Sequence, residues 1–334
     1  MPDKPTITSS ELGALWLTYQ QKTMISRMLE YFIEKADEET AKEIMNGLYN
    51  EIKPFLTKIE EMFQDSGAVV PRGFTKEDVF TDAAPLYDYG FDIMFLRMIK
   101  EISMAMHALN ITMSYREDII LLFRDLTGLT QKYYNDCTQY LLERGMLMRS
   151  PYVTMPKEIE FVEDTHYLAG INPFQQRRVL NTVEVAQLYH ALESNVTGMQ
   201  MILGFAQAAK EPEVSKYFLE GADLSKSIIK ELRDIFLDSD IQVPGQAGGL
   251  ATRSTESPFS DKIMLYCVSL FSSFSIGGNS LGTAFSLRHD LPAKISIIMK
   301  DIFEYANKGA KLMIKHKWME QPPRMDSRDN IASE

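Results

Sequence analysis

Hydrophobic positions recur at spacings of three and four along most of the chain, the period of an amphipathic helix rather than the alternation of a strand. The clearest run is Ile44, Leu48, Ile52, Phe55, Ile59 and Met62, and another passes through Ile119, Leu122, Leu126, Tyr133, Cys137 and Leu141. Ahead of these, Ser9 or Ser10 is the expected N-cap of a helix carrying Leu12, Leu15, Tyr19, Leu29 and Ile33. A third helix groups Met94, Met98, Met104, Met106 and Met113, whose flexible side chains suit an adaptable packing surface. The first half of the chain thus predicts four helices and no strand.

The pattern then repeats. A shift of 173 residues aligns Glu11–Pro71 with Glu184–Pro244 without a gap, matching Glu11 to Glu184, Leu15 to Leu188, Phe32 to Phe205 and Val70-Pro71 to Val243-Pro244. A shift of 172 aligns the later part, matching Arg116 to Arg288, Asp118 to Asp290 and Tyr133 to Tyr305. The period is domain-sized, far too long for a solenoid. Under it the second helical stripe becomes Tyr217, Gly221, Ser225, Ile228, Leu232 and Ile235, so the same face is inward in both copies.

Loop lengths predict the topology. Helices 1 and 2 are separated only around Ala36-Asp37-Glu38, and helices 3 and 4 by a few residues before Arg116, so each pair is antiparallel. Between helices 2 and 3 lies Gly67–Pro85, long enough to cross the length of a bundle, as in ferritin-like folds. The expected fold is all-α: two tandem ferritin-like four-helix bundles, each with a long crossover between its helices 2 and 3. The expected divisions are 1–155 for the first bundle, 156–177 for a linker, 178–324 for the second bundle and 325–334 for a polar tail, the two bundles being separate folding units.

A formal net charge of −11 argues against a nucleic-acid binder, which needs a basic face. Arg177-Arg178 and Lys315-His316-Lys317 read as solvated element ends. The doublets Arg116-Glu117-Asp118 and Arg288-His289-Asp290 place an Asp where it would cap orphan amides at the start of helix 4. Cys137 and Cys267 occupy non-equivalent positions and form no CxxC motif, so both are expected to be buried free thiols. The opening residues have no basic region followed by an apolar run, which makes cytoplasmic residence the expectation. Ile263–Leu287 is uncharged throughout, but its serines and glycines predict a helix buried at the seam between bundles rather than a membrane span.

The segment Arg178-Val179-Leu180-Asn181-Thr182-Val183-Glu184-Val185-Ala186-Gln187-Leu188 and the closing His316-Lys317-Trp318-Met319-Glu320-Gln321-Pro322-Pro323 resemble the signatures of an uncharacterised tandem-repeat, ferritin-like family of endospore-forming bacteria, akin to coat-F-type spore coat proteins. The resemblance is blurred in the first half, where Arg144–Pro151 lacks the Trp and the Pro pair. It implies a fold and a sporulation context, and it carries no activity with it.

A di-iron bundle needs Glu-x-x-His on two of its helices, so that both ligands share one inward face. The one Glu-x-x-His here is Glu163-Asp164-Thr165-His166, in the linker, while His190 and Glu193 form the reversed pattern and read as a solvated pair. His107, His166, His190, His289 and His316 lie in no nucleophile or metal motif, and Gly245-Gln246-Ala247-Gly248-Gly249 lacks the P-loop lysine. Tyr133, Tyr134 and Tyr140, at helical spacing, read as core. No catalytic, cofactor or metal residue is therefore assigned, and no cofactor is expected. The expected function is a non-catalytic structural or interaction protein, sporulation-associated, with a protein partner or self-association. The alternative is a ferritin-like binder of a small apolar ligand or of a metal.

Overall fold

The computed structural model describes residues 5–88, 90–147, 149–171, 177–243 and 249–327. Gly245–Gly248 of the glycine-rich stretch, Pro173 of the linker and most of the polar tail lie outside them. Among the described residues the chain forms eight α-helices and no strand of more than isolated bridges. They are α1 (Ser9–Lys35), α2 (Glu39–Asp65), α3 (Phe91–Thr112) and α4 (Glu117–Glu143), then α5 (Thr182–Ala208), α6 (Pro212–Leu237), α7 (Asp261–Phe285) and α8 (Asp290–Lys315). The 173-residue shift carries both ends of α1 onto those of α5, and the helical stripes read from the sequence are the buried faces of α2, α4 and α6.

Each half is a four-helix bundle in which the short links make α1/α2 and α3/α4 antiparallel. α1 also runs against α3, since Glu11 at the start of α1 meets Arg116 beyond the end of α3, and Thr18 meets Asn110 one turn or more further in. In the same way Glu38, before α2, holds Arg144 after α4. α2 and α3 are then parallel, and only a crossover spanning the bundle can join them.

The start of each bundle is closed by one buried carboxylate. Thr8 and Asn181 open α1 and α5 with capping boxes whose reciprocal partners are Glu11 and Glu184. The cap is therefore Thr8, one residue ahead of the serines expected from the sequence. Glu11 also accepts the amides of Tyr115 and Arg116 at 2.7 Å each, and Glu184 those of Leu287 and Arg288. These bonds tie the start of helix 1 to the start of helix 4 in both copies. Asp118 and Asp290 do not provide the N-cap expected of them: each takes the guanidinium of its own doublet, Arg116 or Arg288. Arg178 is likewise not solvated, because it makes two 2.7 Å bonds to Glu184.

Burial alone would raise the pKa of both glutamates. The amide donors, joined at Glu184 by Arg178, outweigh it and hold both below the usual 4.5. A depressed carboxylate stabilises the fold above its unfolded pKa, and that contribution is lost as pH falls through the folded value. Urea melts of the wild type should thus lose stability on acidification below about pH 4.5. Glu184→Gln should cost about 1–3 kcal/mol at pH 7 and flatten part of that acid dependence; an unchanged midpoint would refute the lock.

The two bundles are not beads on a string. A distal core in each, built on Leu15, Phe63 and Phe123 or on Leu188, Ile235 and Leu291, is separate from one central core that both halves share. The crossovers pair with one another across this seam. Val79 bridges Phe259 and Tyr87 bridges Ala251, both antiparallel, and a shift of 172 turns either bridge into the other. The backbone bonds obey the same exchange: Phe80 N–H to Pro258 O at 2.8 Å answers Thr252 N–H to Leu86 O at 2.9 Å. Such reciprocity is the mark of an isologous two-fold contact, here inside one chain.

α7 departs from its expected burial. Ile263, Met264, Leu265, Cys267 and Val268 lie in the shared core, but Leu281 and Phe285 are each 58% exposed. A Cβ on Gly277 or Gly278 would meet nothing. The helix belongs to the seam only in its first half. Among the described residues no helix is long and apolar enough to cross a membrane, and Cys137 and Cys267 are buried free thiols.

Candidate functional site

Midway along each bundle, between the shared core and the distal core, the apolar packing is interrupted at equivalent positions. In the first bundle this layer is filled with polar side chains: Thr18, Gln21 and Lys22 on α1, Lys100, Ser103 and His107 on α3, and Thr130 on α4, all buried. Under the repeat shifts Gln21 and Lys22 become Ser194 and Asn195, while Lys100, Ser103 and His107 become Ser272, Ser275 and Asn279. The large apolar neighbours shrink as well, with Ile25, Leu48, Ile52 and Met106 replaced by Gly198, Gly221, Ser225 and Gly278.

The second bundle is consequently hollow at the layer that the first bundle fills. A cavity of about 90 Å³ runs between α5, α6, α7 and α8, roofed by Met98 and Ile102 of α3. Its wall on α5 extends from Gln187 to Ile202, roughly 22 Å at the helical rise. The lining is mainly aliphatic and aromatic, from Leu188, Leu224, Ile228, Val268, Phe271 and Phe274, with Ser194, Asn195, Ser272 and Asn279 as sparse polar groups. It opens where Gly198 and Gly278 leave no side chain, since nothing lies within 4 Å of a Cβ at either.

At the seam end the cavity stops on Tyr305, stacked on Tyr217 with ring centroids 4.3 Å apart and planes 3° from parallel. Two glycines allow the stack: a Cβ on Gly221 would collide with the Tyr305 hydroxyl, and one on Gly309 with that of Tyr217. The Tyr305 hydroxyl has no hydrogen-bond partner of acceptable geometry, and burial raises its pKa far above the usual value. It is packed against Gly221, so the cavity meets the Tyr305 ring rather than its hydroxyl.

His190 and Glu193 are not the solvated pair expected from the sequence. Both face α3 across the seam, where His190 binds Glu101, and Arg97 reaches Glu193 at 2.8 Å and Tyr134 at 2.9 Å. The hydrogen bond to Glu101 raises the His190 pKa, and burial raises that of Glu193. This network borders the cavity through His190 and fixes α5 against the first bundle. Tyr133 and Tyr140 are buried in the shared core, as expected of them, and their hydroxyls donate to Glu51 and Glu38. His166 lies in a short 3₁₀ turn of the linker, Thr165–Leu168, away from either bundle interior. Among the described residues no three of His, Cys, Asp and Glu are grouped so as to hold a metal ion.

None of the cavity glycines or serines was singled out as a site by sequence reasoning, yet a signal was there. Gly221 and Ser225 are the two small residues in an otherwise large apolar stripe, at positions where the first copy has Leu48 and Ile52. A small residue on an inward face needs either a bulky neighbour or a void opposite it. Gly221 has the neighbour, Tyr305, and Ser225 borders the void.

Fold and layer together define a duplicated helical-bundle protein with one filled and one hollow copy. The chain belongs to the family described as "Protein of unknown function (DUF3231)", whose model matches it twice, over residues 1–159 and 169–331. No curated protein matches the chain. Among solved structures, one described as a "putative spore coat protein" from Bacillus halodurans C-125 is similar at 15% identity and a TM-score of 0.43, covering 45% of this chain and 98% of its own.

Proposed function

We propose that this is a non-catalytic binding protein whose second bundle takes up an unbranched apolar molecule lengthwise, while the first bundle is its closed structural copy. The observation that carries this reading is the substitution of small residues for large ones at equivalent interior positions, Ile25 to Gly198, Ile52 to Ser225 and Met106 to Gly278. An interior that merely tolerated drift would collapse or repack, since dense packing is the favoured state of a core. Here the emptied layer stays open, narrow, long and mostly apolar, which is the character of a ligand site. The volume of about 90 Å³ and the apolar lining suit a short alkyl segment.

Native mass spectrometry of the full chain mixed with a saturated C4–C8 fatty acid series tests the reading. The expected result is one adduct per chain, with affinity rising as the chain lengthens by about 0.8 kcal/mol for each methylene fully buried. No adduct, or adducts whose number grows without saturation, would contradict it.

The short-long-short connectivity supports a ferritin-like topology for each half. A sporulation context rests on the coat-F-type resemblance of Arg178–Leu188 and His316–Pro323, and a binding scaffold is compatible with it.

A further inference from the structure

The filled layer of the first bundle carries chemistry that the binding reading leaves unused. Lys22 and Lys100 are each only 1% exposed, His107 is fully buried, and the three come from facing helices. Neither lysine has a carboxylate, nor any hydrogen bond or ion pair, among the described residues. Both ring nitrogens of His107 and the Oε1 of Gln21 are likewise without hydrogen-bond partners. Buried cations are ordinarily paired, because an ammonium taken out of water without a counter-charge is strongly disfavoured.

Burial pushes Lys22 well below its ordinary value and Lys100 to about 8, the nearby Cys137 opposing the shift at Lys100. The charge of Lys100 lowers Lys22 further, and burial, then both lysines, lower His107. At neutral pH Lys100 therefore still carries most of its charge. In the second bundle the equivalent residues are the neutral Asn195, Ser272 and Asn279, so the cationic set is peculiar to the first copy.

We propose that the middle of the first bundle is a binding site for a small monovalent inorganic anion, held by the Lys100 ammonium with Lys22 Nζ and the imidazole N–H of His107 as further donors. The anion supplies the counter-charge that Lys100 lacks and occupies the orphaned imidazole. It stiffens the copy whose layer must not open.

Bromide is a suitable probe, because it substitutes for a small anion and scatters anomalously. Crystals of the full chain grown with bromide should show an anomalous peak within hydrogen-bonding reach of Lys22 Nζ and Lys100 Nζ; a layer without a peak, left to water, would overturn the proposal. In solution, replacing gluconate with bromide at constant ionic strength should raise the melting temperature by about 2–4 °C. The double substitution Lys22→Met, Lys100→Met should abolish that difference. The same difference in both proteins would assign it to the surface and count against the site, and if the variant fails to fold, the anomalous peak decides.

Discussion

Phe259→Ala is expected to lower the stability of the whole chain by about 3–5 kcal/mol, the usual cost of deleting a fully buried aromatic side chain. Phe259 belongs to the crossover of the second half, but two of its ring neighbours are on α1 of the first, Tyr31 at 5.2 Å and Phe32 at 6.0 Å. Phe205 lies 6.3 Å away on the other side. The exchange that relates the crossovers sends Phe259 to Tyr87 and Tyr31 to Gly204, and Tyr87 indeed fills the space over Gly204 and donates to Met201 O at 2.6 Å. The ring at the seam is thus large on one side of the pair and matched to a glycine on the other.

Urea melts followed by circular dichroism would measure the loss, with Phe236→Ala as a control inside the second bundle alone. Comparable losses, each in a single transition, are expected if the shared core couples the halves. A loss below about 1 kcal/mol for Phe259→Ala, with the usual loss for Phe236→Ala, would mean that the seam is only a contact between independent units. The reading of 1–155 and 178–324 as separate folding units is a proposal that this experiment bears on directly. A half made alone would expose Tyr31 and Phe32, or Phe205 and Phe259.

The helices and their order were legible because each rests on local regularities: the three-and-four spacing, the short links and the gapless repeat. The inward faces followed from the stripes Leu48, Ile52, Ile59 and Ile228, Leu232, Ile235. What lay beyond the sequence was how two copies meet. Antiparallel pairing of Val79 with Phe259 joins residues 180 apart, and nothing in either segment's composition marks it as half of a bridge. The partners of charged residues were misread for the same reason. Arg178 looks like a solvated basic pair with Arg177 until the fold places Glu184 beside it, and His190 looks paired with Glu193 until α3 brings Glu101 and Arg97 across the seam. The hollow was half legible. Comparing Leu48 with Gly221 and Ile52 with Ser225 shows lost volume, but whether that volume is refilled depends on Tyr305, which closes over Gly221 and leaves Ser225 beside a void.

Restoring the first copy's residues to the second should fill that void. Gly198→Ile together with Gly278→Met places the equivalents of Ile25 and Met106 at two positions where a Cβ meets nothing. Each replacement of a helical glycine removes a penalty of about 0.5–1 kcal/mol, and part of each new side chain is withdrawn from water against Leu224, Val268 and Phe271. A net stabilisation of about 1–3 kcal/mol is expected, the opposite of the usual effect of enlarging a residue inside a packed core. Acyl-chain binding should weaken at least about 100-fold, because the added atoms occupy the channel itself, a loss of roughly 2.8 kcal/mol. The urea midpoint and the native mass spectrum separate the possible failures. A destabilised variant would mean that the layer is already packed and the cavity is not there. A variant that is more stable and binds as before would place the ligand elsewhere, and the filled and hollow copies would then differ for a reason other than binding.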